Sequence, residues 1–77
     1  MQVFRFDITA GTTERRVFMD ELGDWLRECV GLGFFSVADS EDEFTDATKW
    51  VVVCFSDKLK VIIRNDSDAT AFALKWT

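Results

Sequence analysis

The spacing of hydrophobic positions changes along this chain of 77 residues. From Gln2 to Thr9, apolar residues alternate with mostly polar ones, which is typical of a strand with one buried face. From Thr13 the spacing becomes that of an amphipathic helix, with apolar residues at steps of four, three and four: Phe18, Leu22, Trp25 and Cys29. Thr12 or Thr13 can cap this helix and Gly31 can end it. The pattern predicts a long helix after the first strand.

Three further apolar runs predict the rest of a sheet. Phe34 to Val37 is a short strand candidate. Lys49 to Phe55 is apolar on both faces after its first residue, which favours a central strand. Alternation resumes from Leu59 to Arg64 after a turn, and the last two runs therefore predict a hairpin. Gly23, inside the helix, predicts a close approach of a strand to the helix backbone.

The last segment fits two structures. The alanines at 69, 71 and 73 favour a short second helix over Ser67 to Ala73. The alternation of Thr70, Phe72, Leu74 and Trp76 instead fits a strand. Leu74 to Trp76 extends the helix or forms a final edge strand.

The predicted order is β-α-β-β-β-α, in one small domain over residues 1–77. We expect an α+β fold: a single sheet of about four strands with one long helix packed on one face. Eight Phe and three Trp are more aromatic side chains than one covered face needs. Either the second helix shares that face, or a second copy covers the opposite face. The second arrangement predicts a homodimer through these apolar residues: Val51, Val53, Phe55 and Ile62.

The net charge is −5, and residues 31–48 account for it with five acids and no base. We expect an exposed acidic loop that binds a protein partner through its carboxylates: Asp39, Glu41, Asp42, Glu43 and Asp46. The same row of carboxylates, near Phe34 and Phe35, is also compatible with phosphate mimicry or with a purely solubilising role. The loop lacks the ligand spacing and central glycine of an EF-hand, so no metal site is predicted.

Catalytic chemistry has little support. The chain contains no His and no Tyr, which removes the usual general base and the phenolic acid. Asp20, Glu21, Asp24 and Glu28 lie on one helix, where a solvated face with an Asp24–Arg27 ion pair is the simpler interpretation than carboxylate catalysis. The pair Gly31 and Gly33 follows a helix and is interpreted as a turn rather than a phosphate cradle. The sequence predicts no enzyme activity and no cofactor.

The negative net charge argues against nucleic-acid binding, but the C-terminal third of the chain is mildly basic. The alternative function is therefore a nucleic-acid-associated domain that uses the outer face of the hairpin: Lys58, Lys60 and Arg64.

Cys29 and Cys54 are expected to be small buried hydrophobes in a reducing compartment. No secretory signal is visible, and the longest apolar run, Trp50 to Phe55, is too short to span a membrane. We expect a soluble cytoplasmic protein.

The C-terminal residues carry a D-A-x-x-F-x-L-x-W pattern through Asp68, Ala69, Phe72, Leu74 and Trp76. This pattern resembles the C-terminal end of small uncharacterised proteins encoded by tailed bacteriophages. It covers about twelve residues and includes no known active site. The resemblance implies a phage-encoded accessory protein that acts in a bacterial host.

Overall fold

The computed structural model describes residues 2–9, 11–37 and 48–77. It has an α+β fold in which the elements follow the predicted order. Their bounds are β1 Gln2–Phe6, α1 Thr13–Cys29, β2 Gly33–Ser36, β3 Trp50–Cys54, β4 Leu59–Ile63 and α2 Asp66–Trp76.

The four strands form one mixed sheet in the order β1-β4-β3-β2. β4 runs antiparallel to both β1 and β3, whereas β2 and β3 are parallel. The predicted hairpin is confirmed: Cys54 pairs with Leu59, and the Phe55 N–H donates to the Lys58 carbonyl at 2.9 Å. β3, which is apolar on both faces, lies between β4 and β2, and its predicted central position in the sheet is confirmed.

The first strand is shorter than predicted. Phe6 pairs with Leu59, which is the first residue of β4, so residues 7–9 have no opposite strand residue to pair with. The Ile8 carbonyl instead accepts a hydrogen bond from the Arg15 side chain at 3.3 Å. The chain therefore leaves the sheet after Phe6 and turns towards α1.

Both helices pack on one face of the sheet. The core combines apolar residues of the two helices with those of β3 and β4, all of them almost completely buried: Leu22, Leu26, Ala69, Phe72, Trp50, Val52, Leu59, Val61 and Ile63. The second helix thus shares the covered face with the first, which is one of the two arrangements that the sequence allowed. At Gly23, a Cβ would lie 3.0 Å from the Phe35 ring, so the predicted close approach is made by a side chain of β2 and not by the strand backbone.

The last segment is helical throughout. α2 begins one residue before the predicted start and continues three residues past Ala73, so the edge-strand alternative for Leu74 to Trp76 is wrong. Asn65 caps it, because its side-chain oxygen accepts from the Ser67 N–H at 2.8 Å and the Asp68 N–H at 3.4 Å. Phe72 and Trp76 stack one turn apart at 6.2 Å, which draws the last turn onto the core.

The opposite face of the sheet is less open than predicted. Val51, Val53 and Ile62 are each about 1% exposed within a single chain, and Phe34 and Phe55 are half-buried beside them. The sequence pattern predicted that a second copy would cover this face. These three side chains therefore do not form the exposed apolar surface from which the homodimer was predicted, and the homodimer itself stays a prediction.

Candidate docking groove

α1 and α2 lie side by side on the sheet and leave a groove between their exposed surfaces. Phe72 of α2 and Leu22 and Leu26 of α1 point into the core, so the neighbouring positions on each helix face outwards. The resulting cavity has a volume of about 370 Å³. We call it the α1–α2 groove; its lining residues are Glu21, Asp24, Trp25, Glu28, Lys75 and Trp76.

The two tryptophans of the α1–α2 groove rest on one buried ring. Phe72 is fully buried and contacts Trp25 edge to face, with ring centroids 5.9 Å apart, as well as stacking on Trp76. Phe18 of α1 holds Trp76 from another side at 5.4 Å. Both indoles are half-buried. Each therefore presents part of its ring at the surface while packing fixes its position.

The indole N–H groups differ in their environment. Trp50, in the core, donates its N–H to the Gly31 carbonyl at 2.9 Å. The Trp76 N–H is buried and makes no hydrogen bond within the described part of the chain. Aromatic contacts with Phe18 and Phe72, rather than a polar anchor, therefore hold Trp76 in place.

Three exposed carboxylates line the groove together with these rings. Glu21, Asp24 and Glu28 follow one another on α1 at steps of three and four, which places them on one side of the helix. Asp24 lies 3.8 Å from Arg27, the ion pair that the sequence predicted. Glu21 and Glu28 form no ion pair with any described residue. Among the described residues that line the groove, Lys75 is the one base, and its ammonium lies 5.8 Å from the Trp76 ring centre.

A larger groove of about 400 Å³ lies between β1 and α2, but it offers less chemistry. Small side chains of α2 and the edge of β1 line it, and Asp66 is the one charged residue among the described residues of this lining. Its full lining is Gln2, Phe4, Asp66, Ala69, Thr70 and Ala73. We therefore take the α1–α2 groove, with its two rings and three carboxylates, as the candidate site.

The five acids predicted to bind a partner lie outside the described residues: Asp39, Glu41, Asp42, Glu43 and Asp46. Their role stays a prediction. In the described ranges, no three His, Cys, Asp or Glu side chains are grouped so that they could hold a metal ion.

The basic residues predicted on the hairpin are only partly brought together. Lys58 and Lys60 line a cavity of about 200 Å³ with Phe55 and with Arg5 of β1, which lies directly opposite Lys60 in the sheet. Arg64 lies just beyond the other end of β4, about 13 Å along the strand from Lys60 at roughly 3.3 Å per residue. Lys60 and Arg64 both have interaction partners of their own. Nucleic-acid binding by this surface stays a prediction.

The sequence points to Asp24 and its neighbours but not to the groove. The spacing of acids on α1 is visible in the sequence, where it indicates only a solvated face. The second half of the groove, Lys75 and Trp76, comes from the segment whose structure the sequence leaves open. Neither cysteine is fully buried as predicted: Cys29, the last residue of α1, is exposed, and Cys54 is half-buried.

Comparison with protein-family models, with curated proteins and with solved structures finds no match to this chain. None of the helices in the described ranges has the length and apolar character that a membrane span needs. The residues that carry the C-terminal resemblance differ in their environment within α2. Ala69 and Phe72 lie in the core, Trp76 lines the groove and Leu74 is 85% exposed.

Proposed function

We propose that this protein is a non-enzymatic binding protein that acts by protein–protein contact, with the α1–α2 groove as a docking surface. One observation carries the proposal: two partly exposed tryptophans and three carboxylates line the same groove. Tryptophan is enriched among the residues that contribute most to binding at protein interfaces. Exposed carboxylates accelerate and orient the encounter with a partner of opposite charge.

The acidic residues 39–46 form a second proposed contact with a partner, through Asp42 and Glu43 in particular. The C-terminal resemblance to small bacteriophage proteins supports a bacterial cell as the place of action. Lysate from a bacterial host is therefore the appropriate source of partners.

Quantitative affinity capture with charge-reversal variants tests this function. In the groove variant, Glu21→Lys is combined with Glu28→Lys. The matched control combines Asp20→Lys with Asp57→Lys. Both aspartates are exposed and lie outside the groove. Both variants change the net charge by the same amount. A third variant, Asp42→Lys with Glu43→Lys, tests the second acidic contact separately.

We expect the groove variant to lose a partner that the unmodified protein and the control variant both retain. Far-ultraviolet circular dichroism checks that every variant remains folded. Equal capture by the groove variant and the control would exclude the α1–α2 groove as the docking surface. Loss with the third variant alone would assign the contact to residues 39–46 instead.

A further inference from the structure

The charge of the α1–α2 groove defines the chemistry of its occupant. Glu21, Asp24 and Glu28 contribute three negative charges, and Lys75 offsets one of them. Arg27 pairs with Asp24 at 3.8 Å but does not itself line the groove. The lining residues therefore carry a net charge of −2, which favours a cation.

The rings of the groove favour the same kind of occupant. The face of an indole attracts an ammonium or guanidinium group, and Trp is the strongest of the aromatic side chains in this respect. Lys75 already makes such a contact with Trp76 at 5.8 Å, which shows that an alkyl ammonium fits over this ring. Trp25 lines the same groove, and no lysine or arginine of the described residues lies over its ring in this way.

We infer that the α1–α2 groove binds a lysine or arginine side chain from a basic segment of a protein partner, against Trp25 and Trp76 and between the carboxylates of α1. This inference rests on the proposed function and names the chemistry of the partner. A metal ion is a poorer occupant, since the described carboxylates do not converge in a group of three. Phe72 holds both rings before the partner arrives, so binding does not have to order them.

Lys75 is then an internal competitor. Its ammonium lies over the ring that the incoming cation uses, and it adds positive charge to the groove. Replacement of Lys75 by Gln removes both effects. From the usual strength of an exposed cation–π contact, we expect K75Q to bind a basic peptide about two- to five-fold more tightly.

The experiment uses a capped octapeptide of alternating lysine and glycine, and the same peptide with every lysine acetylated. The readout is the position of the three indole N–H signals in nitrogen–proton correlation spectra of the full chain. We expect the lysine peptide to shift the signals of Trp25 and Trp76 and to leave the buried Trp50 unchanged. Acetylation removes the positive charge and should abolish the shifts.

Two variants complete the design. The Glu21→Gln and Glu28→Gln double variant should bind the lysine peptide about two- to ten-fold more weakly. The matched Asp20→Asn and Asp57→Asn variant should bind like the unmodified chain. Equal binding of the acetylated peptide, or equal affinity of the two double variants, would overturn the inference.

The test separates this inference from the proposed function. If the lysine peptide does not bind but capture still depends on Glu21 and Glu28, the groove is a docking surface for another chemistry and the inference alone fails. If capture does not depend on these residues while the peptide binds as expected, the cation site stands and the proposed function fails.

Discussion

Arg15 is the one buried arginine among the described residues, at 6% exposure. It lies in the first turn of α1, and its guanidinium donates to the Ile8 carbonyl and to the Phe55 carbonyl. These two acceptors lie beyond β1 and at the hairpin turn, so one guanidinium joins three parts of the chain. No carboxylate within the described ranges pairs with it. Backbone carbonyls therefore satisfy this buried charge.

Replacement of Arg15 by Met should lower the free energy of unfolding by about 2 kcal/mol, because two partly buried carbonyls lose a charged donor. Urea unfolding followed by circular dichroism measures this change. The neighbouring Arg16 is exposed, and Arg16→Met should change stability by less than about 0.5 kcal/mol. Equal effects of the two substitutions would contradict this role of Arg15.

At the scale of elements, β2 and β3 meet through a glycine. Gly33 lies opposite Trp50 in the parallel pair, and a Cβ on Gly33 would overlap the Trp50 indole. The indole N–H donates to the Gly31 carbonyl, so the ring cannot easily move aside. The sequence indicated a turn at these glycines, but the contact between Gly33 and a tryptophan much later in the chain follows only from the strand pairing.

The substitution Gly33→Ala should cost about 1–3 kcal/mol, which is typical of overpacking, and can abolish cooperative unfolding in a domain this small. Gly33→Ala introduced together with Trp50→Leu tests the cause, since the smaller side chain leaves room for the Cβ. A urea double-mutant cycle should then show a smaller cost of Gly33→Ala in the background that carries Trp50→Leu. The same cost in both backgrounds would rule out the ring as the reason for glycine.

Local patterns predicted the elements well but, apart from the β3–β4 hairpin, did not predict which elements pair. The existence of α1 and β3 could be predicted from the spacing of apolar residues alone. Helical spacing in α1, and apolar residues on both faces of β3, are each contained within a single element. The extent of α2 depends on the packing of Trp76 against Phe72 and Phe18, and the latter is far away in the chain. The parallel pairing of β2 with β3 has no local signal at all.

At the scale of the whole molecule, the α1–α2 groove joins residues 21–28 with residues 75 and 76. The sequence shows the acids of the first group, but nothing in their spacing places Trp76 beside them. The same limit applies to Arg5 and Lys60, which lie opposite each other on β1 and β4. Sites assembled from distant segments depend on topology, which residue spacing does not encode.

The burial of Val51, Val53 and Ile62 within one chain also bears on oligomeric state. Because this face is already covered, we expect light scattering to give a mass near 8.8 kDa that does not change with protein concentration. A mass near twice that value would support the homodimer predicted from the sequence. Such a homodimer would have to form through a surface other than these three residues.

The pairing of β1 with β4 also determines when the sheet can be completed. Gln2 pairs with Ile63, so the first strand has to wait for almost the whole chain before its partner exists. Such distant pairing slows folding, because a long loop must close before the contact contributes stability. During synthesis, Phe4 and Phe6 therefore remain without the β4 and Phe72 contacts that later cover them, and the nascent chain is most prone to aggregate in that interval.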